Sequence, residues 1–152
     1  MNKLGLDVKV RKIEQNAPEM VEIQCHEIDH RVLEIVSFVK ARQGQVTGWI
    51  GEKQYELAIS DIYYLEAVDN KVFIYCSKEV YETRQKLYEL EEILTQKNFL
   101  RISKSVLLNL MKVQALTPAL NGRFTAILMN KEEVIISRKY VPELKKTLKG
   151  GK

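Results

Sequence analysis

Apolar and polar residues alternate near the start of the chain, with Leu6, Val8 and Val10 set between Asp7, Lys9 and Arg11. A period of two is that of a half-buried strand, so residues 4–13 are predicted to form one. Asn16-Ala17-Pro18 is a turn signal, and Val21, Ile23 and Cys25 alternate again, predicting a second strand over 20–25. The period then changes. Ile28, Val32, Ile35, Val36 and Val39 recur at helical spacing, Asp29 suits an N-cap and Gly44 a stop, which predicts a helix over 30–42. The first third therefore reads β-β-α.

From Gln45 the pattern is one of short strands. Segments 46–50 and 54–59 flank Gly51-Glu52-Lys53, and 62–67 and 71–76 flank Val68-Asp69-Asn70, so two tight hairpins are predicted. A further short strand over 79–82 precedes a helix around 84–95, where Leu87, Leu90, Ile93 and Leu94 share a face. Five more short apolar segments follow, at 99–102, 106–108, 113–117, 124–128 and 134–137. Asn121-Gly122, between two of them, is the strongest hairpin signal in the chain. An amphipathic helix over 140–149 closes the pattern, with Val141, Leu144 and Leu148 on one face and Pro142 in its first turn. Many short strands at close spacing predict an antiparallel β domain with few helices.

Composition adds little until it is resolved along the chain. The 152 residues are 45% hydrophobic and 29% charged, which describes a globular protein with a core. The net charge of +4 is an average of two unlike parts. Residues 1–96 hold 12 Lys and Arg against 17 Asp and Glu, a net −5; residues 97–152 hold 12 against 3, a net +9. That asymmetry points to a polyanion as partner. No apolar run of 18 residues exists, and the N-terminus lacks the apolar stretch of a signal peptide. Cys25 and Cys76 form no CxxC pair and read as reduced thiols, so a cytoplasmic location is expected.

Catalytic motifs are sparse. His26-Glu27-Ile28-Asp29-His30 fits HExxH, the pattern of a zinc hydrolase. That chemistry needs both histidines one turn apart on a helix, whereas this stretch straddles a predicted strand end and an N-cap. The chain has no third histidine to complete a ligand set. No GxSxG, GxxxxGK[ST] or GxGxxG occurs. No enzyme, metal or cofactor is expected, and the zinc hydrolase stays a remote alternative.

The basic residues fall where they can act. Asn70 and Lys71 sit at a strand junction; Arg101, Ser103, Lys104 and Ser105, with Asn109 beyond, surround another; Arg138 and Lys139 follow the last strand. Loops at strand ends project side chains toward phosphates and base edges. Arg can bond guanine in two places and Asn can do so to adenine, while Lys and Ser commonly hold phosphate. Lys145, Lys146 and Lys149 near the C-terminus complement a helix dipole and need no partner.

Several motifs in register resemble a known family. Ile59-Ser60-Asp61-Ile62-Tyr63-Tyr64-Leu65-Glu66-Ala67 with Asp69-Asn70-Lys71-Val72, then Phe99 through Asn109, Asn121-Gly122 and Ile136-Ser137-Arg138-Lys139-Tyr140, resemble the LytTR-type DNA-binding domain of LytR/AlgR regulators. The resemblance covers residues 57–148, or 92 of 152. It implies a mainly β (α+β) fold of antiparallel sheets with a few short helices, here as a domain over 46–152. The preceding β-β-α region, 1–45, is too short for a receiver domain, so a stand-alone regulator is implied. It also implies a sequence-specific transcription regulator that puts loops into major grooves at direct repeats of double-stranded DNA. The matching groove residues are Asn70, Lys71, Arg101, Ser103, Lys104, Ser105, Arg138 and Lys139, with Arg138 reading bases and Lys104 and Lys139 holding phosphates. Residues 1–45 are expected to form a homodimer contact or to engage a small membrane-protein regulator. The alternative is an adaptor or anti-regulator on the same fold that binds protein rather than DNA.

Overall fold

A computed structural model describes residues 5–150, without the Lys149 side chain; Leu4, where the first predicted strand begins, lies outside the described residues. Its first regular element is α1 (His30–Arg42), capped by Asp29, whose side chain accepts from the Val32 amide at 3.0 Å. Lys40 and Arg42 in the last turn complement the helix dipole. Ten strands follow: β1 (Gln45–Ile50), β2 (Lys53–Ala58), β3 (Ile62–Val68), β4 (Lys71–Cys76), β5 (Val80–Thr83), β6 (Phe99–Arg101), β7 (Val106–Asn109), β8 (Val113–Pro118), β9 (Phe124–Leu128) and β10 (Glu133–Ile136). Two further helices are α2 (Leu87–Leu94), after β5, and α3 (Val141–Gly150), after β10.

The expected mainly β, antiparallel fold is present. β1 to β7 make one seven-stranded sheet in the order β2-β1-β5-β4-β3-β7-β6, and β10-β9-β8 make a second. Each paired neighbour is antiparallel. The tight connections form as predicted: Val68 pairs with Lys71 across a two-residue turn, and Asp69 (φ 50°) and Asn70 (φ 67°) are both left-handed. Asn residues tolerate that region better than most, which is why this turn reads so clearly.

The large sheet is buried on both faces. On one, Leu65, Ile74 and Leu107 pack with Leu87, Leu90 and Leu94 of α2 and Ala41 of α1. On the other, Tyr64 and Leu108 pack with Ala126 and Leu128 of β9, Ile136 of β10 and Leu144 of α3. Alternation along a strand explains the split, since adjacent Leu107 and Leu108 point to opposite faces. An irregularity in the β3–β4 register between Ile62 and Tyr64 turns both Tyr63 and Tyr64 toward the second sheet.

The Tyr64 ring stacks on Tyr75 with centroids 4.5 Å apart, and its hydroxyl donates to Glu132 at 2.5 Å, tying the two sheets together. Burial, then the adjacent Glu132, pushes the Tyr64 hydroxyl well above its ordinary value near 10. The folded state therefore holds this proton more tightly than the unfolded chain. Its stabilising share is complete below pH 10 and is lost as the pH rises above that value. Tyr64→Phe is expected to cost about 1 kcal/mol in denaturant unfolding at pH 7. The variant should also lose less stability than the wild type between neutral pH and pH 11.

One expectation fails. Residues 6–25 contain no strand, and among the described residues their only backbone hydrogen bond outside regular elements is from the Ala17 amide to the Glu14 carbonyl. Alternation describes a face, but a strand exists only when a neighbour completes its ladder. No neighbour among the described residues does so, and Val8 and Val10 stand 87% and 93% exposed. The described part of the 1–45 region is therefore an irregular segment followed by a helix, not β-β-α.

Candidate nucleic-acid interface

Three chain segments converge at one end of the large sheet. The turn at 69–70 joins β3 to β4, while the 102–105 connection leads into β7, which pairs antiparallel with β3. Antiparallel pairing puts the end of β3 beside the start of β7, and the Ala67 amide donates to the Ser105 carbonyl at 2.8 Å. The Ser137 amide donates to the Ile102 carbonyl at 2.9 Å, which brings the turn Arg138–Tyr140 to the same connection. Residues separated by seventy positions in sequence thus share one surface.

The predicted residues differ in their surroundings. Asn70, Lys71, Lys104, Arg138 and Lys139 are exposed. None of the four cations among them has an ion-pair partner among the described residues. Ser103 and Ser105 are half-buried, and the Ser105 amide donates to the Ser103 hydroxyl at 3.2 Å, which shapes the loop.

Arg101 faces inward instead. Its guanidinium meets Glu91 of α2 at 2.6 Å, and another of its nitrogens donates to the Lys104 carbonyl at 2.5 Å. With its side chain only 18% exposed, Arg101 holds the loop that presents Lys104. Asn109 is buried, donating to the Ile62 carbonyl at 2.8 Å and accepting from the Met111 amide at 3.0 Å. It belongs to the framework of the sheet.

A fourth element was not read as functional from sequence. The β8–β9 hairpin turns at Asn121 (φ 61°) and Gly122 (φ 77°), and Gly122 lies directly against Arg138. A Cβ at Gly122 would sit 2.9 Å from Cδ of Arg138 and 3.0 Å from its Cγ. The same hairpin exposes Leu120 and Arg123. The available signal was Arg123 directly after an Asn-Gly turn, a cation at a strand end like the others. Gly122→Ala is expected to displace the Arg138 stem and add strain at a left-handed position, at a cost of about 1 kcal/mol. Its DNA affinity should fall with it, and no further fall should appear when Gly122→Ala is placed in an Arg138→Ala background.

Residues 52–149 match the LytTr DNA-binding domain family. The chain belongs to that family. Among solved structures, the LytTr DNA-binding domain of a methyl-accepting/DNA response regulator from Bacillus cereus superposes with a TM-score of 0.66 at 26% identity, covering 69% of this chain and 96% of that one. The sensory transduction protein LytT of Bacillus cereus is 35% identical over 91 residues, which are 60% of this chain and 37% of that protein. The chain thus matches well under half the length of that LytT protein. An HTH-type transcriptional regulator of Staphylococcus aureus strain MSSA476 is 25% identical over 150 residues, 97% of this chain and 99% of the relative. That relative is named for a helix-turn-helix, whereas the three α-helices described here are separated from one another by strands. In this chain the exposed cations stand instead on loops and turns at one end of the large sheet.

Histidines of the HExxH pattern do not share a helix. His26 lies in a bend before Asp29, and His30 is the first residue of α1. The arrangement a zinc hydrolase needs is absent from this stretch.

Proposed function

We propose that this chain is a sequence-specific transcription regulator that binds double-stranded DNA through the loops at 69–71, 102–105 and 137–139. The observation that carries the reading is their convergence, joined by two cross-segment hydrogen bonds and carrying four exposed cations without acidic partners among the described residues. Arg138 reads base edges, Lys71, Lys104 and Lys139 neutralise phosphates, and Asn70 reaches a base or the backbone from the β3–β4 turn. Ser103 and Ser105 contact the backbone, and Arg101 positions the loop that carries them. The regulator acts without catalysis.

Residues 1–45 serve as the homodimer contact. A segment with strand alternation but no ladder among the described residues fits pairing with the same segment of a second copy. The outer edge of β2 is likewise unpaired among the described residues. An isologous dimer has two-fold symmetry, whereas direct repeats do not. Because residues 18–25 form no ladder with the body of the chain, the two DNA-binding units need not obey the axis of the dimer contact.

The test is a binding titration on duplexes selected from a randomised pool, alongside the DNA upstream of the protein's own coding region. A preferred sequence should emerge, bound with a salt slope of about −3 per protomer, near −0.9 for each of the three phosphates neutralised. Failure to select any duplex, or binding indifferent to salt, would refute the reading. Capture of a small membrane protein in that event would favour the anti-regulator alternative.

A further inference from the structure

Between the start of α1 and the first turn of α2 lies a cluster that DNA binding does not use. His30 and Glu34 are one turn apart on α1, and Glu89 faces them from α2. One donor atom from each residue lies within 4.8 Å of the other two.

Glu89 is the unusual member, because it is 4% exposed. Its Oε1 accepts from the Lys86 amide at 2.8 Å in the helix-start capping box. Its Oε2 is closed off from water and receives no aligned hydrogen bond, although His30 Nε2 stands 2.5 Å away. A buried carboxylate needs a positive partner; His30 supplies one through this 2.5 Å ion-pair contact only when it is protonated, and a divalent cation would supply one with the imidazole neutral. His30 and Glu34 are exposed, which leaves an entry path and room for water as a further ligand.

The geometry points to a divalent transition-metal site, of the Zn2+ class, formed by His30 Nε2, one Glu34 oxygen and Glu89 Oε2. One imidazole and two carboxylates form a set that zinc accepts, at bonds of about 2.0–2.2 Å. Four-coordinate geometry would separate neighbouring ligand atoms by about 3.3 Å, so His30 and Glu89 need part by less than an ångström. The ion would fasten the first turn of α1, which follows the N-terminal segment, to α2. Glu91 of α2 in turn holds Arg101 and through it the Lys104 loop. Metal binding would therefore stiffen the junction between the dimerising segment and the DNA-binding body.

Titration of the full-length protein with Zn2+ against a chromophoric chelator tests this. One ion per chain is expected, with affinity lowered at least 10-fold in His30→Gln and Glu34→Gln, whose exposed positions should leave the circular dichroism spectrum unchanged. The Cys25→Ser/His26→Ala double variant removes the other nearby ligands and should bind as the wild type does. The wild type's thermal midpoint should rise with Zn2+ and that of Glu34→Gln should not. Binding that follows Cys25 and His26, or no stoichiometric binding, would overturn the assignment whether or not the chain binds DNA.

Discussion

Arg138→Ala is expected to weaken binding to the selected duplex by about 10- to 100-fold, while binding to unrelated duplex changes only a few-fold. Arg138 is exposed in the turn after β10, at the point where Ser137 is bonded to Ile102. Gly122 supports its aliphatic stem from the neighbouring hairpin, so the guanidinium projects from a backed position. A bidentate contact to guanine is worth about 1–3 kcal/mol of discrimination, whereas one lost phosphate contact weakens all sequences alike. The variant should therefore relax one position of the operator and leave the thermal midpoint unchanged, because no ion pair of the fold involves Arg138 among the described residues. Lys104→Ala should show the opposite profile, with an even loss across sequences and a salt slope shallower by about one. Anisotropy titrations on a panel of single-base operator variants distinguish the two.

Removal of residues 1–28 is expected to convert a dimer to a monomer and to reduce affinity for a two-site operator by about 10²- to 10⁴-fold. Affinity for a single half-site should be unchanged. The size of the effect comes from effective concentration: once one unit is bound, its tethered partner meets the second site intramolecularly. The segment is dispensable for the fold, since neither hydrophobic cluster includes any residue before Ala41 among its buried members. Val8, Val10, Met20, Val21 and Ile28 are all strongly exposed in the single chain, so their removal costs little intramolecular burial. Sedimentation equilibrium of the full chain and the deletion, with paired titrations on one-site and two-site duplexes, measures both parts. A monomeric full-length protein would refute the dimer, and equal losses on both duplexes would show damage to the DNA-binding unit.

Most of the fold was legible because its signals are local. The hairpin at Asp69-Asn70 and the turn at Asn121-Gly122 are written in residues that tolerate left-handed backbone. The helix over 30–42 had a capping Asp, a helical apolar period and a following Gly, and it forms over His30–Arg42. The N-terminal strands were misread because pairing is a property of two segments, and alternation records only one. Burial of the large sheet on both faces was implicit in the unbroken run Ile62-Tyr63-Tyr64-Leu65, which has no polar side to turn to water.

The site was legible to a lesser degree. Charge and position together singled out the strand-end loops, but neither shows which cations are already engaged. Arg101 carries the same charge as Arg138, yet Glu91 lies ten residues before it and is brought into contact only by α2 packing on the sheet. Gly122 looked like a turn residue and no more, since its contact with Arg138 spans two strands. The Glu89 carboxylate looked like one of many acids on an amphipathic helix, and its isolation from water follows from tertiary packing.

The most direct measurement is the change in backbone amide resonances when the selected operator duplex is added to isotopically labelled protein. Perturbations are expected at 68–71, 102–105 and 137–139, extending to the 119–123 hairpin, with α1 and α2 largely unaffected. Perturbations concentrated on the α1–α2 face, with those loops silent, would contradict the proposed interface.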